Sequence, residues 1–216
     1  MYQAAIFDFG GVVTTSVVEA FGDIDTAVGV EAGTVLRLLR ETREEADPDF
    51  HRLEKGLLSE SDFYAALRGK VEAVAGRPIE WPDDAMQVRR LLLGSLKRNE
   101  EMLAAIERIA HHYAVGMLTN NVREWGAWRD HYPMDLFRVV VDSSEVGMRK
   151  PDPAIYLLTC ERLGVDPART VFVDDFASNV EGANAVGMRG ILFTSTGETL
   201  AALRPLFPLA FREPGL

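Results

Sequence analysis

The chain has 216 residues, of which 47% are hydrophobic and 26% charged, enough for a real hydrophobic core in a globular, soluble protein. Asp and Glu (33) outnumber Lys and Arg (23) for a formal net charge of −10, which disfavours a nucleic-acid backbone or an anionic membrane as partner. The single cysteine, Cys160, excludes an internal disulfide and a cysteine metal cluster. With no basic leader and no apolar run of membrane-spanning length, the expectation is a cytoplasmic protein.

In chain order, AAIFDF (4 to 9) reads as a short buried strand that stops at a lone carboxylate, Asp8. Gly10 and Gly11 follow and let the chain turn sharply with its backbone amides bare. The acid is expected to stand exposed at a strand tip, where open α/β sheets keep their chemistry. From about Thr15 to about Lys97 the pattern is helical only. VEAGTVLRLLRETREEA and LSESDFYAALRGKVEAVAG are its clearest stretches, the second opening on Ser59 as N-cap with Asp62 at the capping-box position. Roughly eighty residues is too long for a connection inside a compact domain. The segment 15–97 is therefore expected to be an all-helical cap inserted after the first strand of a core formed by 1–14 and 98–216.

NEEMLAAIERIAHHY then places Met102, Leu103, Ile106 and Ile109 on one helix face, with His111 and His112 where imidazolium meets the helix dipole favourably. YAVGMLT (113 to 119) is the next strand, and Trp125 and Trp128 read as one packed helix face. FRVVVD (137 to 142) is a strand, and PAIYLLTCERLG a helix with Ile155, Leu158 and Leu163 inward, closing on Gly164. TVFVDD (170 to 175) and RGILF (189 to 193) complete the strand set, and the tail PLFPLAFREPGL is expected to be irregular. RETREEAD (40 to 47) reads as a mixed-charge helix surface. Strand alternating with helix predicts an α/β fold, a Rossmann-like parallel sheet core covered by helices.

Four separated segments carry reactive residue types at strand ends or in the loops beyond: Asp8, then Thr119, Asn120 and Asn121, then Lys150 in GMRKPDP, then Asp174 and Asp175. Each has a local reading on its own, as turn former, strand terminator, loop lysine or helix cap. A parallel sheet brings all of its strand tips to one edge, so the four would surround one crevice. Three carboxylates there call for a hard cation such as Mg²⁺. Such a cation with Lys150, the Thr119 hydroxyl and Asn120 cradles a phosphoryl group, with Asp8 as nucleophile.

FDFGG, LTNN, RKPDPAIY and VFVDDFASNVEGA, in this order and with a helical insertion after the first, resemble the four motifs of the haloacid dehalogenase superfamily across nearly the whole chain. The chain is similar to the subgroup holding the N-terminal phosphatase domain of soluble epoxide hydrolase and the bacterial glucose-1-phosphatase-like proteins. The resemblance implies an enzyme, a Mg²⁺-dependent phosphatase of small phosphorylated metabolites acting through an aspartyl phosphate. It implies Asp8 and Lys150 as catalytic residues and Asp8, the Gly10 carbonyl, Asp174 and Asp175 around the metal. Gly11, Thr119, Asn120, Asn121 and Lys150 are the implied phosphate contacts, with Asn179 orienting the acidic pair. A monomer or homodimer is compatible with the sequence.

The pattern departs at one point. Most phosphatases of the superfamily carry a second aspartate two residues after the nucleophile, a proton donor and base, and Gly10 stands there. The expected consequence is a preference for leaving groups that need little protonation, or a substitute acid such as Glu19, Asp23 or His51. The alternative is a weakly active or inactive module that binds a phosphorylated ligand or a partner protein. Attack on a haloalkanoate is disfavoured by the acidic pair at Asp174 and Asp175.

Overall fold

The structure is a computed structural model that describes residues 1–16, 20, 22–44, 48–82, 84–94 and 96–212. Glu19 and residues 45–47 of the mixed-charge stretch lie outside the described residues, as does the end of the tail from residue 213.

Five strands form one parallel sheet in the order β3-β2-β1-β4-β5: β1 Ala4–Phe7, β2 Ala114–Thr119, β3 Val139–Asp142, β4 Thr170–Asp174 and β5 Arg189–Leu192. β1 lies at the centre and is fully buried, which is why it reads as unbroken apolar residues instead of an alternation. Alternate residues face opposite layers. Ala5 and Phe7 join Val115, Met117, Val171 and Val173 in one hydrophobic cluster. Ile6 joins Leu118, Val141 and Phe172 in the other.

The first layer includes α6 (Glu100–Ala110) and α10 (Thr196–Leu203); the second is α8 (Pro153–Leu163) and α9 (Ala177–Ala185). In α6 the expected face holds, with Met102, Leu103, Ile106 and Ile109 all buried. In α8 the buried face is Ile155, Tyr156, Thr159 and Cys160, while Leu158 and Leu163 are only partly buried. Asp152 caps its first turn through Ala154 N at 2.9 Å, and Gly164 ends it in the left-handed conformation.

Between β1 and α6 the described chain is helical: α1 Gly22–Val28, α2 Thr34–Glu44, α3 Pro48–Glu54, α4 Glu60–Ala75 and α5 Ala85–Gly94. Ser59 caps α4 as expected, its hydroxyl accepting from Asp62 N at 3.1 Å and donating to the Asp62 carboxylate at 2.6 Å. The two ends of this segment run side by side. Thr14 and Arg98 form an antiparallel bridge, flanked by hydrogen bonds from Thr15 N to Lys97 O at 2.9 Å and Asn99 N to Val13 O at 2.8 Å.

After β2, the tryptophans lie on a 3₁₀ helix, Arg123–His131, instead of an α-helix. At three residues per turn, Trp125 and Trp128 stand directly over one another, and both are buried. A one-turn helix, α7 (Ser143–Val146), follows β3. The tail packs through Phe207, fully buried and edge-on to Tyr113 with ring centroids 5.0 Å apart. No helix among the described residues is long and apolar enough to cross a membrane.

Ile106 sits at the centre of the α6 face against the sheet and has no exposed surface. Ile106→Ala is expected to cost about 2–5 kcal/mol of folding free energy, read from the urea midpoint at unchanged slope.

Candidate functional site

The parallel register carries the ends of β1, β2 and β4 to one edge, with Phe7 paired to both Met117 and Val173. Asp8 follows β1 directly. It is only 6% exposed, which corrects the expectation of an acid standing open at a strand tip: the helical segment and the loop after β3 cover it. Its carboxylate accepts from Phe9 N at 2.7 Å, and Phe9 O accepts in turn from Val13 N at 2.9 Å. The turn through Gly10 and Gly11 thus wraps tightly beneath the acid.

Lys150, in the loop between β3 and α8, reaches under the same edge and is 1% exposed. Its ammonium touches Asp8 Oδ1 at 2.8 Å and Asp174 Oδ2 at 2.6 Å, and donates to Leu118 O at 3.0 Å. All three of its protons therefore have acceptors. Burial alone lowers the affinity of this amine for its proton, but Asp174 and Asp8 outweigh that and raise its pKa. The loop-lysine reading is excluded by this geometry.

Asp174 is fully buried and saturated: Oδ1 accepts from Phe176 N at 2.8 Å, and both oxygens lie 3.0–3.1 Å from Asn179 Nδ2. Asn179 thus orients Asp174, as the sequence implied. Asp175 lines the cavity described below and does not serve as the N-cap of α9, a position held by Phe176. One oxygen from each of Asp8, Asp174 and Asp175 falls within 4.8 Å of the others. Burial drives the Asp8 carboxyl well above the usual carboxylate range; Lys150 opposes this, and Asp174 and Asp175 reinforce it. With one ammonium among three carboxylates the cluster keeps an excess of negative charge, which a cation relieves.

The donor set is hard oxygen throughout, the set that suits Mg²⁺. Gly11 shapes the site: its φ is +85°, and a Cβ there would lie 2.2 Å from Asp175 Oδ2. Only a glycine allows the turn and the carboxylate to approach this closely.

The amides predicted to contact phosphate are committed within the protein. Asn120 Nδ2 donates to Lys150 O at 3.0 Å, and its Oδ1 accepts from Lys150 N at 2.9 Å. That pair fixes the backbone of Lys150. Asn121 Nδ2 donates to Asp142 Oδ2 at 2.7 Å, and its backbone N–H to Ser143 Oγ at 3.0 Å. Thr119, at the end of β2, is 3% exposed and lines the cavity beside Asn120 and Lys150.

That cavity has Asp8, Gly10, Thr119, Lys150, Asp175 and Asn179 among its lining residues. Its walls are aromatic, from Phe50, Phe63 and Tyr64 on α3 and α4 and from Phe9, Trp125 and Trp128 on the sheet side. Leu53, Leu93 and Leu96 complete them. The tryptophans thus serve both as a packed face and as cavity wall, and Phe9 lies 4.1 Å from Trp128 between ring centroids. The wall residues of the helical segment were not singled out in the sequence. The one signal available was the adjacent pair Phe63 and Tyr64 behind the Ser59 cap.

Residues 2–187 match the family described as haloacid dehalogenase-like hydrolase. The chain belongs to that family. It is 32% identical over 209 residues to a sesquiterpene phosphatase of Aspergillus oryzae, an alignment covering 95% of this chain and 96% of the relative. It is 27% identical over 225 residues to the bifunctional epoxide hydrolase 2 of Mus musculus, covering 99% of this chain but 40% of that longer protein. Among solved structures, a Bacteroides thetaiotaomicron HAD family enzyme in its magnesium complex shares the fold at a TM-score of 0.63 with 23% identity, over 94% of this chain and 98% of that one. A structure described as a dehalogenase does so at a TM-score of 0.69 with 21% identity, covering 95% and 96% of the two chains.

Gly11→Ala is expected to displace the Asp175 carboxylate and weaken divalent-cation binding by roughly 10–100-fold. The check is the Mg²⁺ concentration needed to raise the Tm, compared between variant and native protein.

Proposed function

We propose that the protein is a Mg²⁺-dependent phosphohydrolase that cleaves a small phosphorylated metabolite through a phosphoryl-enzyme intermediate on Asp8. The observation that carries this reading is the buried group of Asp8, Lys150, Asp174 and Asp175 at one edge of the sheet, with Asp8 and Asp175 facing a cavity. The phosphatase among the relatives aligned over nearly the whole chain supports it. The same cluster favours chemistry at phosphorus, because the phosphoryl oxygens bring negative charge directly beside Asp8 at the reacting atom, whereas the reacting carbon of a haloalkanoate carries none. Segment 15–97 acts in this reading as the cap that closes the cavity over the core.

Asp8, the Gly10 carbonyl and Asp175 would hold the cation, with Asp174 adding its charge. When bound, Mg²⁺ supplies charge neutralisation between these carboxylates and the phosphoryl oxygens. Asp8 attacks phosphorus with one carboxylate oxygen, the oxygen–phosphorus bond to the leaving group breaks, and the leaving group departs with the bonding pair. Lys150, held by Asn120 from behind, orients Asp8 and favours its ionised form against the effect of burial. Gly11, Thr119 and the Asn120 backbone line the place of the phosphoryl oxygens, and Asn121 braces that loop against Asp142. Water then attacks the phosphorus of the intermediate, releasing phosphate and restoring the Asp8 carboxylate.

Gly10 offers no proton to the leaving group, a loss that typically lowers the rate by roughly 10²–10⁴. Of the substitutes considered, Glu19 and the side chain of Asp23 lie outside what the structure describes, and His51 is not among the cavity-lining residues. Glu54 lines the cavity but is ion-paired to Arg149 at 2.6 Å. Because Gly10 supplies no proton, leaving groups that depart without protonation are the favoured substrates in this reading.

The expected outcome with p-nitrophenyl phosphate is sustained Mg²⁺-dependent release of p-nitrophenol. EDTA abolishes it, and Asp8→Asn lowers it by a factor on the order of 10⁴. Absence of release, with no burst equal to the enzyme concentration, would instead favour the binding-module reading. A second expectation concerns the missing acid: Gly10→Asp raises turnover of alkyl phosphates more than that of p-nitrophenyl phosphate, measured as the ratio of the two kcat/KM values.

A further inference from the structure

The cavity extends past the strand tips to residues of the helical segment, and among the described residues its polarity is one-sided. Beyond the strand-tip residues, the polar side chains among the described residues that reach its lining are Ser16, Glu54, Tyr64 and the two tryptophans, and the Trp128 Nε1 is buried without a hydrogen-bond partner. Glu54 is held by Arg149. The polar atoms of Tyr64 and Trp125 are turned onto Glu60, which is 1% exposed and is not one of the lining residues. Trp125 Nε1 donates to Glu60 Oε1 at 2.7 Å, and the Tyr64 hydroxyl donates to the same oxygen at 3.1 Å. Arg89 closes the group with a tight ion pair to Glu60.

The carboxylate behind the wall thus collects an indole N–H and a phenol O–H that a polyhydroxylated ligand would otherwise use. Burial and the negative Glu60 raise the Tyr64 pKa, so its proton stays in place across the working pH range. What Tyr64 and Trp125 present to the cavity is ring carbon. A sugar or a nucleobase entering here would lose water from hydroxyl or ring-edge groups without replacing it, whereas a hydrocarbon chain gains from the same transfer. The lining runs from Asp8 and Lys150 at the strand tips to Phe50, Phe63 and Leu93 on the helical segment, room for a ligand that extends beyond its phosphoryl group.

We infer that the phosphate ester taken by this site carries an aliphatic chain, which lies along the wall of Phe50, Phe63, Tyr64, Leu93 and Trp125 while the phosphoryl group meets Asp8. The inference rests on the phosphohydrolase reading for the orientation of the ligand, and on the cavity alone for the nature of its tail.

The test uses n-alkylphosphonates, which cannot be hydrolysed, from ethyl through butyl and hexyl to octyl, titrated calorimetrically into the full chain with Mg²⁺. The expected result is a Kd that falls about fourfold per methylene until the cavity is filled. In Leu93→Asp, a substitution at a half-buried position that should leave the fold intact, the series flattens. Hydrolysis of octyl phosphate, p-nitrophenyl phosphate and glucose 1-phosphate is followed in parallel. A flat phosphonate series, or a kcat/KM for glucose 1-phosphate above that for octyl phosphate, overturns the aliphatic assignment even if p-nitrophenyl phosphate is turned over. A steep series with no turnover of any ester supports the aliphatic ligand and overturns the hydrolase reading instead.

Discussion

The arrangement depends on one buried ammonium. Lys150 Nζ meets oxygens that belong to three neighbouring strands: Asp8 just past β1, Leu118 in β2 and Asp174 at the end of β4. Without that positive charge, Asp8 and Asp174 would be buried beside one another with no counterion, an arrangement that is strongly destabilising. The lysine comes from a loop, and a loop side chain of this length loses much rotamer freedom when fixed. The Asn120 carboxamide reduces the ways it can move, because it binds the backbone N–H and C=O of Lys150 at once. An amide that could have served a ligand serves the counterion of Asp8.

A second set of buried charges joins the helical segment to the sheet. Arg149, the residue before Lys150, pairs with Glu54 at the end of α3, and the Ser143 hydroxyl donates to the Glu54 carbonyl. Glu60 at the start of α4 takes the indole N–H of Trp125. Both links connect the rim of the cavity to loops that carry the strand-tip residues. They are directional, so they fix how α3 and α4 sit over Asp8, while the apolar contacts of Phe63, Tyr64 and Leu53 supply burial without specifying direction. The Glu60 pair lies behind the wall and Glu54 is held by Arg149, so the faces of Tyr64 and Trp125 toward the cavity stay apolar.

Much of this was legible in the residues. Strands buried on both faces appear as unbroken β-branched and apolar runs, and each element boundary carries its own chemistry, as at Ser59, Asp152 and Gly164. Asp8, Lys150, Asp174 and Asp175 could be grouped without coordinates, because parallel strands deliver their ends to one edge whatever separates them in the chain. The protein partners of the Asn120 and Asn121 side chains were not legible. A carboxamide donates equally well to a phosphate oxygen or to a protein oxygen, and only the positions of Lys150 and Asp142 decide between them.

The sequence by itself determined the parallel sheet, the helical segment after the first strand and the set of acids and lysine at the strand tips. These follow from periodicity, from capping and from the topology of parallel strands, all of which are local or combinatorial. Tertiary structure alone decided that Asp8 is covered, that Asp174 is saturated while Asp175 faces the cavity, and that Tyr64 and Trp125 turn their polar atoms onto Glu60. An aromatic residue on an amphipathic helix has the same pattern whether it fills a core or lines a cavity. The difference lies in what stands opposite, and that is set by the packing of segments distant in the chain.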